Sequence, residues 1–358
     1  MRMSKRSFGA CAFACLALPL GWLGCAREGT SSTSETGSAH QALADSRVTV
    51  PWTELGFVRG GDESRDRGPS AVAFAADGKS LLVLDTLALR IVSVTPNGAV
   101  RSFATELPKD ADGIAVSPQG EVAVHRALTL SVDVYDARGQ RSGSVAVPPG
   151  ARDANVVHLL SQGRVVLEHP YQERYLLGSP NAPRDAQSVL ASRREGVAEG
   201  FAREGYQILV EHPDGQRVVD ADPGVARLGA GPARAGSHAY LMKVSPEGEA
   251  QGGSFRYAAK RVMDLGEAAS GRLFGVVGSR ACSVLEHVDL ESTQVHVQRE
   301  VVCASADAGK ELTRFPVETS ALYTPHHELA FDGKRVVQAL PTEAGLTLRT
   351  VAVTEVSK

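Results

Sequence analysis

Val72-Ala73-Phe74-Ala75-Ala76-Asp77-Gly78-Lys79-Ser80-Leu81-Leu82-Val83 decides the fold. An apolar run meets Asp-Gly, and a second apolar run follows at once. Glycine takes the positive φ that a tight turn needs, so the stretch reads as a β-hairpin. The pattern recurs at Gln119-Gly120, Gln162-Gly163, Asp214-Gly215, Ser270-Gly271 and Asp332-Gly333. From Gly78 onward the six glycines are spaced by 42, 43, 52, 56 and 62 residues. A second set of turns comprises Pro96-Asn97-Gly98 and Ala137-Arg138-Gly139, about twenty residues after the first, and Pro246-Glu247-Gly248, 33 residues after Gly215. Two hairpins per period make four strands per period, the signature of propeller blades. The expectation is an all-β fold: a six-bladed β-propeller of four-stranded antiparallel blades over residues 48–358.

The last period offers only three strands, around Leu329–Phe331, Val336–Leu340 and Leu346–Val353. Val48-Thr49-Val50, with Leu55-Gly56-Phe57-Val58 behind it, is a strand without a period of its own. Joining the two ends removes an exposed sheet edge. The N-terminal strand is therefore expected to complete the last blade. Residues 172–205, rich in charge, and the Gly/Ala/Pro stretch 223–236 read as a solvated insertion and a loop that lengthen the later periods.

The first period, with Gly68-Pro69-Ser70-Ala71-Val72-Ala73, Asp77-Gly78, Val83-Leu84-Asp85-Thr86 and Arg90-Ile91, resembles the NHL-type repeat. More loosely, the chain resembles lactonase-like and TolB-like propellers. The resemblance implies that Asp85, Thr86, Arg90 and Ile91 brace neighbouring blades. Ala88 stands where that family has Asn, and His125-Arg126 replaces Asp-Thr in the second period.

The N-terminus is an address. Arg2, Lys5 and Arg6 precede an apolar run from Phe8 to Leu23, about sixteen residues, which suits a signal segment better than a membrane span. Leu23-Gly24-Cys25 resembles the bacterial lipobox, although Trp22 occupies the place usual for Leu. That resemblance implies a signal peptide over 1–24 and diacylglycerol on Cys25, so that acylated Cys25 is anchored in membrane lipid. Ala26 after the cysteine favours the outer membrane by the same resemblance. Residues 25–47 are polar and small and read as a tether.

Of five cysteines, Cys282 and Cys303 alone fall in the propeller. The segment between them reads as one hairpin turning near Glu291-Ser292-Thr293, which sets the two cysteines opposite each other. Export to an oxidising compartment makes a disulfide chemically reasonable. Two separate buried thiols are the alternative.

The formal charge is −3 and aromatics are 5%, so nucleic acid is not an expected partner. Phosphate loops, dinucleotide fingerprints and Gly-x-Ser-x-Gly elbows are absent from the sequence. The loops expected around one mouth of the central channel carry Asp110, Asn155, Glu168, Asp220, Arg280 and His327, with the candidate metal or ligand residues Asp112, His125, Asp153, His169, His326 and Glu328. Imidazoles and carboxylates that converge can ligate a metal or act as acid and base. The same residue types are common in turns because their side chains satisfy nearby backbone groups. The lactonase-like resemblance implies calcium or another divalent metal, but the Asn-Asp pair of those sites is missing. Three functions stay open. The first is an envelope-anchored module that binds a small-molecule ligand or an envelope protein. The second is a metal-dependent lactonase-like hydrolase, and the third a structural subunit of an envelope complex.

Overall fold

The turns at Gly78, Gly120, Gly163 and Gly333 fold their flanking apolar runs into antiparallel pairs. Gly78 adopts φ +62°, the left-handed geometry expected of it. The computed structural model describes residues 45–60, 65–168, 174–195, 205–213, 217–219, 236–249, 255–289 and 296–354. The signal segment, Cys25, the tether, Asp214-Gly215, Asp220, most of 223–236 and the 291–293 turn lie outside the described residues.

Among the described residues there are six four-stranded antiparallel sheets, the blades of a β-propeller. The first is β2 (Ala71–Phe74), β3 (Leu81–Asp85), β4 (Arg90–Val94) and β5 (Val100–Ala104). The second is β6 (Ala111–Val116), β7 (Val122–Arg126), β8 (Ser131–Tyr135) and β9 (Arg141–Ala146). The third is β10 (Val156–Leu159), β11 (Val165–Glu168), β12 (Arg174–Ser179) and β13 (Ala182–Pro183), followed by the helix α1 (Ala186–Glu195). The fourth holds β14 (Gly205–Glu211), β15 (Arg217–Val219), β16 (His238–Glu249) and β17 (Phe255–Glu267). The fifth is β18 (Ser270–Val277), β19 (Arg280–Asp289), β20 (His296–Ser305) and β21 (Lys310–Pro316). The sixth joins β22 (Leu329–Phe331), β23 (Arg335–Thr342) and β24 (Gly345–Ala352) to β1 (Asp45–Pro51).

The expected closure is present. β1 pairs antiparallel with β24, with Val48 opposite Leu348 and Val50 opposite Leu346. Val50, Leu346 and Leu348 are buried in a core that also holds Val83 and Val92 of the first sheet. The residues leading from β1 to the first sheet are tied down by the bracing positions. Asp85 is fully buried and accepts from the Gly56 and Ala88 amides and from Arg90 Nε at 3.1 Å. A Cβ on Gly56 would lie 2.7 Å from that carboxylate, so only glycine fits. Strands β2 and β22, β2 and β6, β6 and β10, β14 and β18, and β18 and β22 touch. These contacts set the leading strands of neighbouring sheets side by side.

Cys282 and Cys303 face each other in register, with Cα atoms 4.1 Å apart, and form a buried disulfide. The two-fold relation expected about residues 292 and 293 holds along the whole β19–β20 ladder.

Four details depart from expectation. Ser270-Gly271 is not a hairpin turn, since β17 and β18 belong to different sheets. The fifth sheet turns instead at Gly278, φ +59°. Gly271 is small because a Cβ there would come within 2.6 Å of Ile208 Cγ2. Pro246-Glu247-Gly248 is a register shift inside β16 rather than a turn, as a strand accommodates Pro and Gly at bulges. The segment 172–205 is more than an insertion: it supplies β12 and α1, with Tyr175, Leu177 and Val189 buried together. Ser192 Oγ of the helix accepts from the Leu176 amide. Finally, the fourth sheet is ordered β15-β14-β16-β17, so the chain returns on the far side of β14 rather than beyond β15.

Candidate functional site

The site is built where the sixth, first and second sheets lead off. On β6 the register slips between Ala111 and Gly113, so Asp112 has no cross-strand partner while Gly113 faces His125. The slip aims Asp112 at its neighbour: His125 Nδ1 lies 2.8 Å from Asp112 Oδ1. A carboxylate only accepts, so Nδ1 carries the proton of this contact and Nε2 is the nitrogen left over. His125 is 2% exposed.

His327, just ahead of β22, is woven into the start of β2. Its amide donates to the Ser70 carbonyl at 2.9 Å, and its carbonyl accepts from Val72 at 3.2 Å. The His327 ring lies over Gly113, where a Cβ would stand 3.3 Å from Nε2 and 3.5 Å from His125 Cβ. His326 packs against it with ring centroids 4.5 Å apart. Burial lowers the proton affinity of His327 most. The charges of His326, Arg272 and His125 lower it further, and Asp112 partly offsets them. The result is a pKa of about 3, so His327 is neutral at neutral pH.

Five buried side-chain polar atoms lack a hydrogen-bond partner among the described residues. Two of them, His125 Nε2 and His327 Nε2, belong to the rings that meet over Gly113, and a third, Ser70 Oγ, belongs to the residue whose carbonyl receives the His327 amide. Buried polar atoms are nearly always paired, so a cluster of unpaired ones marks a surface shaped for something else.

Other expected residues are spent elsewhere. Asp153 is 74% exposed at the side chain, beside Arg152. Glu328 is ion-paired with Arg299. Asp110 receives Arg126 and Thr129; burial pushes its carboxyl up, and those hydrogen bonds outweigh it and hold the pKa below the usual range. Glu168 is paired with His158 and Arg174. Arg280 donates to the Gly333 carbonyl. His169 lies outside the described residues. Thus Asp112, His125 and His326 are brought together, and Asp153 and Glu328 do not join them. Calcium wants six to eight oxygens, and the carboxylates expected to supply them do not converge. No three His, Cys, Asp or Glu side chains among the described residues are grouped to hold a metal. Ser70 and Arg272 escaped sequence reasoning; Ser70 sat inside a framework motif and Arg272 inside a strand.

No protein family model matches the chain, and no curated protein does. Among solved structures it is similar to a gluconolactonase from Xanthomonas campestris at 12% identity, covering 86% of this chain and 89% of that one, with a TM-score of 0.40. A putative gluconolactonase is similar at 14% identity, 86% and 98% coverage and a TM-score of 0.42. The virginiamycin B lyase of Staphylococcus aureus is similar at 10% identity, 87% and 99% coverage and a TM-score of 0.35. The fold itself stands on the sheets and their order.

Proposed function

We propose that this chain is an exported lipoprotein, held to the bacterial envelope by acyl chains on Cys25, whose propeller is a ligand-binding module. The binding reading is carried by one observation: the adjacent rings of His125 and His327, each with a buried and unpaired Nε2, beside the Asp112–His125 pair. Anchoring in the outer membrane rests on Leu23-Gly24-Cys25-Ala26 and the polar tether after it. The bracing role of Asp85 supports reading the first blade as NHL-type.

The experiment is thermal melting of the detergent-purified mature protein with a small-molecule extract of the envelope. The wild type is expected to gain several degrees and His125→Ala to gain nothing, because a ligand that binds only the folded state stabilises it. Equal shifts in both proteins, or none in either, would remove the reading. Labelling with a fatty-acid probe tests the anchor: label on the wild type and none on Cys25→Ser is the expected result.

A hydrolytic reading, in the lactonase-like sense, has the Asp112–His125 pair in its favour. A carboxylate on Nδ1 leaves Nε2 placed as a general base. Hydrolysis of a lactone panel by the wild type, lost in His125→Ala, would favour it over binding alone.

A further inference from the structure

The two ends of the propeller differ. Strands alternate in direction, so the connections between sheets and the turns between second and third strands fall at one end, and the other turns at the opposite end. Among the described residues seven large apolar side chains are exposed. Val58, Leu87, Leu128, Leu190 and Val297 stand at the connection end and Val276 and Val277 at the other, so the apolar exposure is one-sided. Part of it is continuous. A Cβ on Gly56 would lie 2.8 Å from Leu87 Cβ, and Phe57 and Val58 follow Gly56 directly. Phe57 stacks on Trp52 with ring centroids 4.4 Å apart and on Tyr323 at 6.4 Å. Trp52 Nε1 donates to the Thr342 carbonyl and the Tyr323 hydroxyl to the Pro69 carbonyl. The polar atoms of both rings are thus spent on the protein's own backbone, and what the half-buried rings still offer is apolar.

Leu87 and Leu128 occupy equivalent turns of neighbouring sheets, over residues 86–89 and 127–130. Each turn is pinned twice. Leu89 and Leu130 take φ of +52° and +50°, a conformation costly for leucine, and both pack against the buried cores. The carboxylates of Asp85 and Asp110 accept from the Ala88 and Thr129 amides. Leu128 is left 85% exposed on its fixed turn. Folding gains nothing from an apolar side chain held out in water. A partner gains from one already in place, because less freedom is lost on binding.

We propose that the connection end docks an apolar segment of another exported protein, with Leu87 and Leu128 as fixed anchors. The course of the chain favours a protein over the bilayer. Pro51 of β1 pairs with Gly345, beside the β23–β24 turn at the connection end, whereas Asp45 pairs with Val351 at the other. The chain therefore enters the propeller at the end away from the apolar side chains. This orientation rests on the anchoring through Cys25 proposed above: a bilayer that holds the cysteine draws on the far end, and the apolar end is turned from it. Aromatic side chains that settle at a bilayer surface also keep N–H and O–H toward water, and Trp52 and Tyr323 do not.

The test places a photo-crosslinking amino acid at Leu128, at Leu87 or, as a control, at Val277 of the full chain in the source bacterium. Leu128 and Leu87 are expected to give an adduct of one discrete mass, and Val277 none above background. Mass spectrometry should find the joined peptide to be an apolar segment of another exported protein. With the crosslinker at Val58, Leu128→Ser should lose about fivefold or more of the adduct at an unchanged melting temperature, because its side chain supports no core. Adducts to lipid, adducts to a second copy alone, equal adducts at Val277, or none at all would overturn the docking. Fatty-acid labelling of Cys25 in the same cells is read separately: its absence sinks the anchoring, and the adducts alone judge the docking.

Discussion

Among the described residues three histidines are hydrogen-bonded to carboxylates, and the three pairs are not equivalent. In the fifth sheet His287 Nε2 lies 3.0 Å from Glu300, whose carboxylate is also held by Arg314, itself bound to Glu311 at 2.9 Å. In the third, His158 Nε2 lies 2.8 Å from Glu168, with Arg174 3.4 Å away. In both, an arginine closes the carboxylate and the histidine spends Nε2, its outermost atom. In the second sheet Asp112 takes Nδ1, no arginine among the described residues closes the pair, and Nε2 is left buried and unpaired there. Buried charge that is fully answered braces a fold, whereas a pair with one open end is built to meet something.

The largest effect expected from breaking this contrast is Arg314→Met. It leaves Glu300 half-buried beside His287 alone and should cost about 3 kcal/mol, near the lower end for a broken buried pair because both side chains still meet some water. Urea unfolding checks it; a loss under about 1 kcal/mol would mean the closed pair is not structural.

Acid separates the regions next. Burial would raise the Glu168 carboxyl, but the His158 hydrogen bond and the charges of His158 and Arg174 hold it down to about 2. Its stabilisation is present above the unfolded value, about 4.3, and is lost as pH falls toward 2. His327 acts earlier. Its folded pKa of about 3 lies below the unfolded value of about 6.5. The unfolded chain takes a proton that the folded chain refuses, so stability is full above pH 6.5 and declines as pH falls toward 3. His327→Gln should remove the early decline, worth about 2 kcal/mol at pH 5, and keep the later one. Melting temperature against pH reads both limbs; an unchanged early limb would contradict the burial of His327.

Asp112→Asn should change stability least, by under about 1 kcal/mol, while weakening ligand-induced stabilisation. A cost equal to that of Arg314→Met would make the open pair structural after all.

Most of the fold was legible because its signals are local. Gly78 must turn, apolar runs must pair, and Val48–Val50 had no partner except the incomplete last period, where it is found. The cysteine pairing followed from hairpin symmetry. Signals failed where one residue type serves two ends. Gly271 is small for packing against Ile208 and not for turning, and Pro246-Gly248 marks a bulge. Charge hid the apolar face of Tyr175, Leu177 and Val189. The site was half legible. Histidine and aspartate drew notice to Asp112, His125 and His326. Residue type could not reveal that Arg299 closes Glu328 while Asp112 stays open, because each contact joins positions far apart in sequence. His327 gains its place only through the Ser70 backbone and Gly113, which no local pattern links to it.

The most direct measurement is the protonation of the imidazole nitrogens, read by nitrogen–proton correlation NMR of histidine-labelled protein at neutral pH. Here His125 is predicted to carry its proton on Nδ1, with an unprotonated Nε2 whose signal moves when ligand is added. His158 and His287, whose Nε2 faces a carboxylate, are predicted to carry a proton there and not to move. A proton on His125 Nε2 alone, or an Nε2 signal indifferent to every ligand that stabilises the protein, would contradict the open site.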